Sequence, residues 1–477
     1  MFKVLKFLKK SWILVLVIII LLCAQAVLDL ELPSYTAKII DTIQGNVQMA
    51  ADESTAIGNI LEIGLQMIGV SIGSMICAIF IMLCSSRVAA KLGETLRNKV
   101  FEKVLKFSNK EFKQFSTASL ITRTTNDIQQ IQNLMVMLFR VIVYAPIMGI
   151  GAFIKVLSTS ENSMSWVIGV AILSIVCIIA VLFIVAMPKF KKLQTLIDKL
   201  NGVSREILTG LPVIRAFNKE VHEEGRFDKA NIDLTKTNVF VNKVMAIMFP
   251  ALFFVMDAIS ILIIWAGAFK VDAGIMQVGD LMAFIQYAMQ VVISFLFISM
   301  LSIMLPRAMV SANRINEILN TDESVKDKKE PIKFNSNIKG LVEFKNVCFK
   351  YPDADEEILS DISFTANPGE TTAIIGSTGS GKSTVVNLIP RFYDVTGGEL
   401  LVNGINVKDV SQKELRKRIG FVPQKGILFS GTIETNIKYG DNSLSLEGVK
   451  RAAQIAQASE FIEGKDEKYN SEIAQRW

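Results

Sequence analysis

One short run of residues has the types and spacing needed to hold phosphate groups. Residues 376–383 read GSTGSGKS, a full match to the pattern GxxxxGK[ST]. Glycines let backbone N–H groups face a phosphate, and a helix that starts at the end of the loop adds its dipole. The lysine of this pattern reaches the β- and γ-phosphates, and the hydroxyl after it ligates Mg²⁺. The predicted phosphate-binding residues are Gly376, Ser377, Thr378, Gly379, Ser380, Gly381, Lys382, Ser383 and Thr384.

The elements around this loop support the interpretation. The apolar run TTAII at 371–375 predicts a buried strand directly before the loop, and residues 384–389 predict a helix after it. Further short strands are predicted at 341–349 and 419–422, so this part of the chain is predicted to be α/β. Without these neighbours, a flexible Gly/Ser loop with no ligand would be the alternative.

Composition indicates a membrane protein with an attached soluble domain. The 477 residues are 51% hydrophobic and 20% charged, and the long apolar runs all fall within 12–310. The net charge of +6 comes mainly from segments between those runs, which is typical of membrane topology and argues against nucleic-acid binding. The single histidine, His222, and the absence of a CxxC pair argue against a zinc site.

Six apolar runs approach or exceed the roughly 20 residues that cross a bilayer. A cleaved signal peptide is the alternative for the first run, which follows four lysines, but that run continues past the possible cleavage site. The predicted spans are 12–31, 59–84, 132–156, 165–187, 244–270 and 279–305.

The distribution of basic residues predicts the orientation of these spans. Segments 85–131 and 188–243 are rich in Lys and Arg, whereas 32–58, 157–164 and 271–278 together contain only Lys38. Basic loops stay in the cytoplasm, so both termini are predicted to be cytoplasmic.

The two long basic loops are predicted to be helical. Apolar residues recur at helical spacing from 87 to 107, which predicts that the second span continues into the cytoplasm. Segment 189–240 has the same character, with a predicted break at Gly210-Leu211-Pro212 and a new short helix at 212–219.

Polar residues inside the predicted spans are candidates for a transport path. Interhelical hydrogen bonding is an equally good explanation for them. The candidates are Arg140, Asp257, Gln286 and Gln290.

Ordered sequence blocks resemble a known family over essentially the whole chain. SREILTGLPVIRAFNKE lies in the membrane part, and FKYPDADEEIL, GSTGSGKST, LIPRFYDVTGGELLVNG and IGFVPQKGILFSGTIETNI follow in the soluble part. The chain resembles a B-type ATP-binding-cassette (ABC) exporter half. The resemblance implies a six-helix membrane domain at 1–319, a linker at 320–339 and a partial α/β P-loop domain at 340–477.

The resemblance also implies roles for individual residues, with ATP and Mg²⁺ as cofactors. Tyr351 would stack on adenine, and Gln424 would contact Mg²⁺ together with Ser383. Segments 108–116 and 212–219 would be coupling helices, the second reaching a partner subunit. The implied partners are a second half-transporter, identical or different, the lipid bilayer and a lipophilic drug, lipid or peptide substrate. The implied location is the cytoplasmic membrane.

The sequence after Gln424 departs from the family pattern. It contains no SGGQ-type signature, no apolar run ending in Asp-Glu and no switch histidine. Phosphoryl transfer needs carboxylates that hold metal and water, so hydrolysis by this chain is not expected. A C-terminally shortened gene or reading frame is the first expectation. The alternative is a non-hydrolytic ATP-binding membrane subunit with a regulatory or scaffold role.

The orientation can be tested by cysteine labelling in a chain whose native cysteines are replaced. We expect Ser116→Cys and Lys219→Cys to react only with a membrane-permeant reagent, because both lie in basic segments. Ala273→Cys, in a segment without lysine or arginine, is the control and should react with an impermeant reagent in intact cells. Labelling of the first two positions by the impermeant reagent would contradict the topology.

Overall fold

A computed structural model describes residues 6–49, 53–158, 165–334 and 340–473. The chain divides into two compact units. The first comprises Met1–Phe107 and Glu111–Asp322, and the second comprises Ser108–Lys110 and Glu323–Trp477.

The first unit is helical, as expected where hydrocarbon requires every backbone polar group to be satisfied within the protein. A six-residue π-helical segment at Phe139–Tyr144 joins its fifth and sixth helices. The helices are α1 (Trp12–Met49), α2 (Glu53–Leu105), α3 (Asn109–Gln114), α4 (Thr117–Thr124), α5 (Asn126–Leu138), α6 (Ala145–Ser158), α7 (Ser165–Ala216), α8 (Glu220–Asp272) and α9 (Val278–Asn320).

Within the described residues, five helical segments are long and apolar enough to cross a membrane. They coincide with five of the six predicted runs. The remaining run, 165–187, lies within α7, where a shorter apolar stretch is described at Gly169–Ile178. The chain is therefore a multi-pass helical membrane protein, and a sixth span stays a prediction. The five segments are Trp12–Gly45, Ile57–Leu105, Thr117–Ser158, Glu220–Asp272 and Val278–Ile298.

The predicted continuation of the second span is confirmed. Helix α2 runs unbroken to Leu105, and its apolar face is buried against α5 and α9. Burial of this stripe, rather than intrinsic helix propensity, stabilises the extension. The buried side chains of the cluster include Ala89, Leu92, Leu96, Val100, Ile128, Ile131, Ala312 and Ile315.

The predicted helix break at Gly210-Leu211-Pro212 is wrong. Helix α7 continues through Pro212 to Ala216. A proline inside a helix removes the hydrogen bond to the carbonyl four residues earlier, here that of the exposed Leu208, which solvent can satisfy. The chain turns instead at Asn218, which has a φ of 51°. Residues 212–216 thus belong to α7, and the next helix starts at Glu220.

The second unit contains a four-stranded antiparallel sheet in the order β2-β1-β3-β4. Phe344 of the first strand lies opposite Phe364 and Leu400, and its ring stacks on Phe364 with centroids 4.6 Å apart. A two-stranded sheet, β5-β6, and three short helices form a smaller cluster. The elements are β1 (Val342–Phe349), β2 (Leu359–Ala366), α10 (Lys382–Leu388), β3 (Gly397–Val402), β4 (Ile405–Asn406), α11 (Gln412–Arg416), β5 (Gly431–Thr432), α12 (Ile433–Ile437), α13 (Leu446–Ile455), α14 (Ser459–Glu463) and β6 (Glu472–Ile473).

The predictions for this unit are partly confirmed. Strand β1 and helix α10 occur where expected, but 371–375 and 419–422 are not strands. Ile375 and Val422 are about nine-tenths exposed. A strand requires a hydrogen-bonded neighbour, and none of the described strands pairs with either segment. The two strand predictions are thus wrong: the described sheet is antiparallel and does not include the run before the phosphate-binding loop, and the α/β class of this unit stays a prediction.

Part of the segment predicted as a linker packs on this unit. Phe334 is buried in its core, and the N–H of Ile332 donates to the carbonyl of Asp409 over 2.8 Å. Arg391, which is almost fully buried, donates to the carbonyl of Lys326 and forms a two-point contact with the Asp394 carboxylate. A buried guanidinium needs such partners, so Arg391 joins the segment at 323–334 to the rest of the unit.

Replacing Arg391 should destabilise the second unit. Arg391→Ala leaves Asp394 without its buried partner, and we expect a loss of about 3 kcal/mol. Pulse proteolysis of the full chain over a urea series measures the change. Lys417→Ala, which removes an exposed ion pair with Glu414, is the matched control and should stay within about 0.5 kcal/mol. Equal midpoints for the two variants would contradict this role.

Candidate functional site

The loop before α10 is shaped by two glycines in the left-handed region. Gly379 and Gly381 have φ of 87° and 86°, a conformation that other residues adopt only with strain. Gly381 precedes the first residue of α10, and a Cβ there would lie 2.8 Å from Leu359 Cδ2. Gly381 is therefore required both for the turn and for close packing against β2.

Lys382 closes the loop on itself. Its ammonium group donates to the carbonyl oxygens of Gly376 and Ser377, at 2.9 and 2.6 Å. The hydroxyl of Ser380 lies 3.5 Å from the same nitrogen. A lysine ammonium carries three donors, and here they face the loop that would surround a phosphate. The same positive charge can therefore move from the carbonyls to a phosphate oxygen by a small rotation of the side chain.

The two hydroxyl residues after Lys382 have different environments. Ser383 is exposed on the first turn of α10, whereas Thr384 is buried. No cluster of three His, Cys, Asp or Glu side chains suited to a metal occurs among the described residues. Mg²⁺ commonly keeps several waters and is bound through phosphate oxygens with one or two protein oxygens. The exposed Ser383 hydroxyl fits a Mg²⁺ ion of that kind.

Tyr351 lies next to the loop helix, packed among aromatic rings. Its hydroxyl is 3.1 Å from the Thr384 hydroxyl, and its ring meets those of Phe349 and Tyr393 edge to face. The structure thus brings Tyr351 together with the phosphate-binding residues. Stacking of its ring on adenine stays a prediction.

Gln424 is not brought to the loop. It lies in the exposed segment 421–430, which has no helix or strand. No hydrogen bond between Gln424 and the loop occurs among the described residues. Its predicted contact with Mg²⁺ stays a prediction.

Two arginines near the end of α10 had not been singled out from the sequence. Arg391 has a φ of 55°, and Arg416 donates to the carbonyls of Pro390 and Arg391. Burial lowers the pKa of the Arg416 guanidinium, and the charge of Asp327 opposes this effect. Together they hold the chain that follows the loop helix. The sequence signal for Arg391 is the run PRFYD, where an arginine lies among apolar and aromatic residues, whereas Arg416 lies in a charged run that gives no such signal.

The structure places the polar candidates of the membrane unit in different environments. Gln290 of α9 donates to the backbone carbonyl of Asp29 in α1, and its neighbour on the same face, Gln286, is half-buried. Asp257 is exposed on α8. The side chain of Arg140 lies outside the described part of the structure.

Comparison with protein families gives two matches. Residues 15–295 match the family described as ABC transporter transmembrane region. Residues 359–475 match the family described as ABC transporter. The first match covers more than half of the chain, and the second includes the phosphate-binding loop.

Curated relatives agree with these matches. An uncharacterized ABC transporter ATP-binding protein of Mycobacterium tuberculosis is 37% identical over 94% of this chain and 76% of its own length. The ATP-dependent lipid A-core flippase of Pseudomonas aeruginosa is 31% identical over 82% of this chain and 64% of its own length. A putative multidrug export ATP-binding/permease protein of Bacillus subtilis is 29% identical over 94% and 77% respectively.

The two loop glycines provide a matched pair of substitutions. Gly379→Ala and Gly381→Ala should both carry roughly 1–2 kcal/mol of left-handed strain. Only the second also places a methyl group against Leu359, while nothing lies within 4 Å at the first. We expect Gly381→Ala to lower the free energy of unfolding by at least about 1 kcal/mol more than Gly379→Ala does. Pulse proteolysis in urea without nucleotide measures both losses. A larger effect at Gly379 would contradict the packing described here.

Proposed function

Because the chain belongs to the ABC transporter family, with the membrane region and the ATP-binding region of that family, we propose that it is one half of an exporter that moves a lipophilic substrate across the bacterial cell membrane. ATP binding at the loop 376–384 drives this movement. The relatives named as a flippase and as a putative multidrug exporter support a lipophilic substrate.

The single observation that carries the proposal is the position of Lys382. Its ammonium group contacts the carbonyls of a glycine-containing loop at the start of a helix. This arrangement supplies positive charge and hydrogen-bond donors for a triphosphate. With ATP bound, Lys382 would exchange its two carbonyl acceptors for phosphate oxygens, and the Ser383 hydroxyl would be a ligand of Mg²⁺.

The proposed membrane arrangement has six spans with both termini in the cytoplasm. Five apolar helical segments and the position of the sixth predicted run within α7 support it. The same arrangement places the ATP-binding region on the cytoplasmic side, where ATP is available.

A second half-transporter is the proposed partner, either a second copy or a related chain. The turn between α7 and α8, with the helix ends beside it, supports this, because it carries apolar side chains that the described residues leave exposed. Val213, Phe217 and Val221 are each at least 60% exposed. A stretch of this kind at a sharp helical turn is suited to docking on an ATP-binding unit, as proposed for a coupling element.

The contacts of Lys382 support nucleotide binding, and they fit a second candidate equally well: a non-hydrolytic ATP-binding membrane subunit with a regulatory or scaffold role. Transport in a reconstituted dimer separates the two candidates.

ATP binding can be measured as protection of the full chain in lipid nanodiscs against thermal unfolding. At about 100 times its Kd, a ligand adds roughly 2.7 kcal/mol to the stability of the native state. Lys382→Ala removes the charge that faces the phosphates, so most of this protection by MgATP should be lost. Lys417→Ala, an exposed lysine of the same unit, is the control and should keep the full protection. Equal protection of wild type and Lys382→Ala would refute the proposal.

A further inference from the structure

The membrane unit contains a cavity of about 320 Å³ between α1, the start of α6 with the π-helical segment before it, and α9. This volume is at the small end of the range for ligand pockets. Met148 and Phe297 give it apolar walls. Polar groups on its lining come from Asp29, Tyr144, Gln290 and Ser294.

Asp29 is the acidic residue of this cavity, and it lies in the candidate membrane segment Trp12–Gly45, two residues before the end of the span predicted at 12–31. Its two carboxylate oxygens accept hydrogen bonds from the hydroxyls of Ser74 and Tyr144, each at 2.5 Å. The amide of Gln25 lies 3.4 Å from one of them. These donors orient the carboxylate, but none of them carries a charge.

The backbone carbonyl of Asp29 and the side-chain amide of Gln290 are further polar groups at this site. Pro33 has no N–H, so the carbonyl of Asp29 lacks its usual helical donor. The amide nitrogen of Gln290 donates to that carbonyl over 3.3 Å. The amide oxygen of Gln290 is buried and has no hydrogen-bond partner among the described residues. A polar atom left in this condition is costly unless a ligand or water satisfies it.

No lysine or arginine among the described side chains forms an ion pair with Asp29, whose described partners are the neutral groups of Ser74, Tyr144 and Gln25. The contrast with Glu31, two residues further along α1, is direct. Glu31 pairs with Lys155 of α6 at 2.6 Å. An ionised group within a membrane segment is costly, and such groups mark substrate or ion pathways.

We infer that this cavity binds the cationic group of the exported molecule, with Asp29 as its counter-ion. Organic ammonium or phosphonium groups with apolar substituents fit the site, because Met148 and Phe297 contact the substituents while the carboxylate balances the charge. The buried oxygen of Gln290 accepts an N–H of the ligand where one is present. This inference names the substrate class of the proposed exporter and rests on that function only for the transport step.

The test uses two probes with the same shape and opposite charge, tetraphenylphosphonium and tetraphenylborate. Binding of each labelled ion to the full chain in nanodiscs is measured without nucleotide, and the amount bound by empty discs is subtracted. We expect saturable binding of the cation only. Asp29→Asn keeps the shape of the side chain and removes its charge, so it should weaken cation binding at least about tenfold.

Two further variants keep the outcome interpretable. Glu62→Gln removes an exposed carboxylate of α2 that does not line the cavity, and it should bind the cation as wild type does. Asp29→Glu retains the charge and should keep most of the binding. If Asp29→Asn does not fold, the comparison of the two probes on wild type still decides the question.

The inference is overturned if tetraphenylborate binds as well as the cation, or if folded Asp29→Asn binds the cation as tightly as wild type. Because no nucleotide is present, these results do not depend on ATP-driven transport. Loss of ATP protection in wild type with intact cation binding would instead contradict the proposed function alone.

Discussion

Most of this structure depends on one constraint: backbone N–H and C=O groups inside a bilayer must find partners within the protein. Long unbroken helices follow directly, and α2 and α8 each run for 53 residues. The constraint also explains the contact at Pro33. Because Pro33 has no N–H, the carbonyl of Asp29 in α1 lacks a helical donor, and the side-chain amide of Gln290 in α9 donates to it instead. This hydrogen bond connects two helices that are far apart in sequence, through a carbonyl that would be paired within its own helix if residue 33 were not proline.

The second unit satisfies polar groups by different means. Water reaches much of its surface, so hydrogen bonds are concentrated where the chain turns sharply. Lys382 holds two loop carbonyls and Arg391 holds the segment after α10, each through several donors on one side chain. The two residues differ in burial. Arg391 is almost fully enclosed and serves stability, whereas the ammonium of Lys382 lies at an open loop and can change partners.

Local sequence patterns were sufficient to predict the helical extension of α2 and the phosphate-binding loop. The apolar residues at helical spacing from Val88 to Phe107 were enough to predict a helix with one buried face, because helical periodicity is set by neighbouring residues alone. The glycine and lysine spacing at 376–382 likewise predicted a loop with left-handed residues before a helix. The break expected at Pro212 failed because one proline removes a single hydrogen bond, which is a small loss at an exposed position.

Other features depend on residues that are distant in sequence. The run at 371–375 has the composition of a strand, but pairing is decided by a neighbour that composition does not reveal. Asp29 was not singled out although it interrupts an apolar run four residues before a proline. Its importance follows from Tyr144 and Gln290, which are more than a hundred residues away. Contacts of this kind cannot be derived from periodicity.

The unpaired run at 371–375 has a consequence for the behaviour of the protein in solution. Its exposed Ile375 and its main-chain groups, which pair with none of the described strands, resemble the exposed edge of a sheet. Short uncharged segments with high strand propensity associate with identical segments of other molecules, in register, when nothing covers them. Self-association through this segment would grow with concentration and would not be weakened by charge screening, since no charge lies within it. Five residues immediately before the phosphate-binding loop therefore favour self-association of the chain.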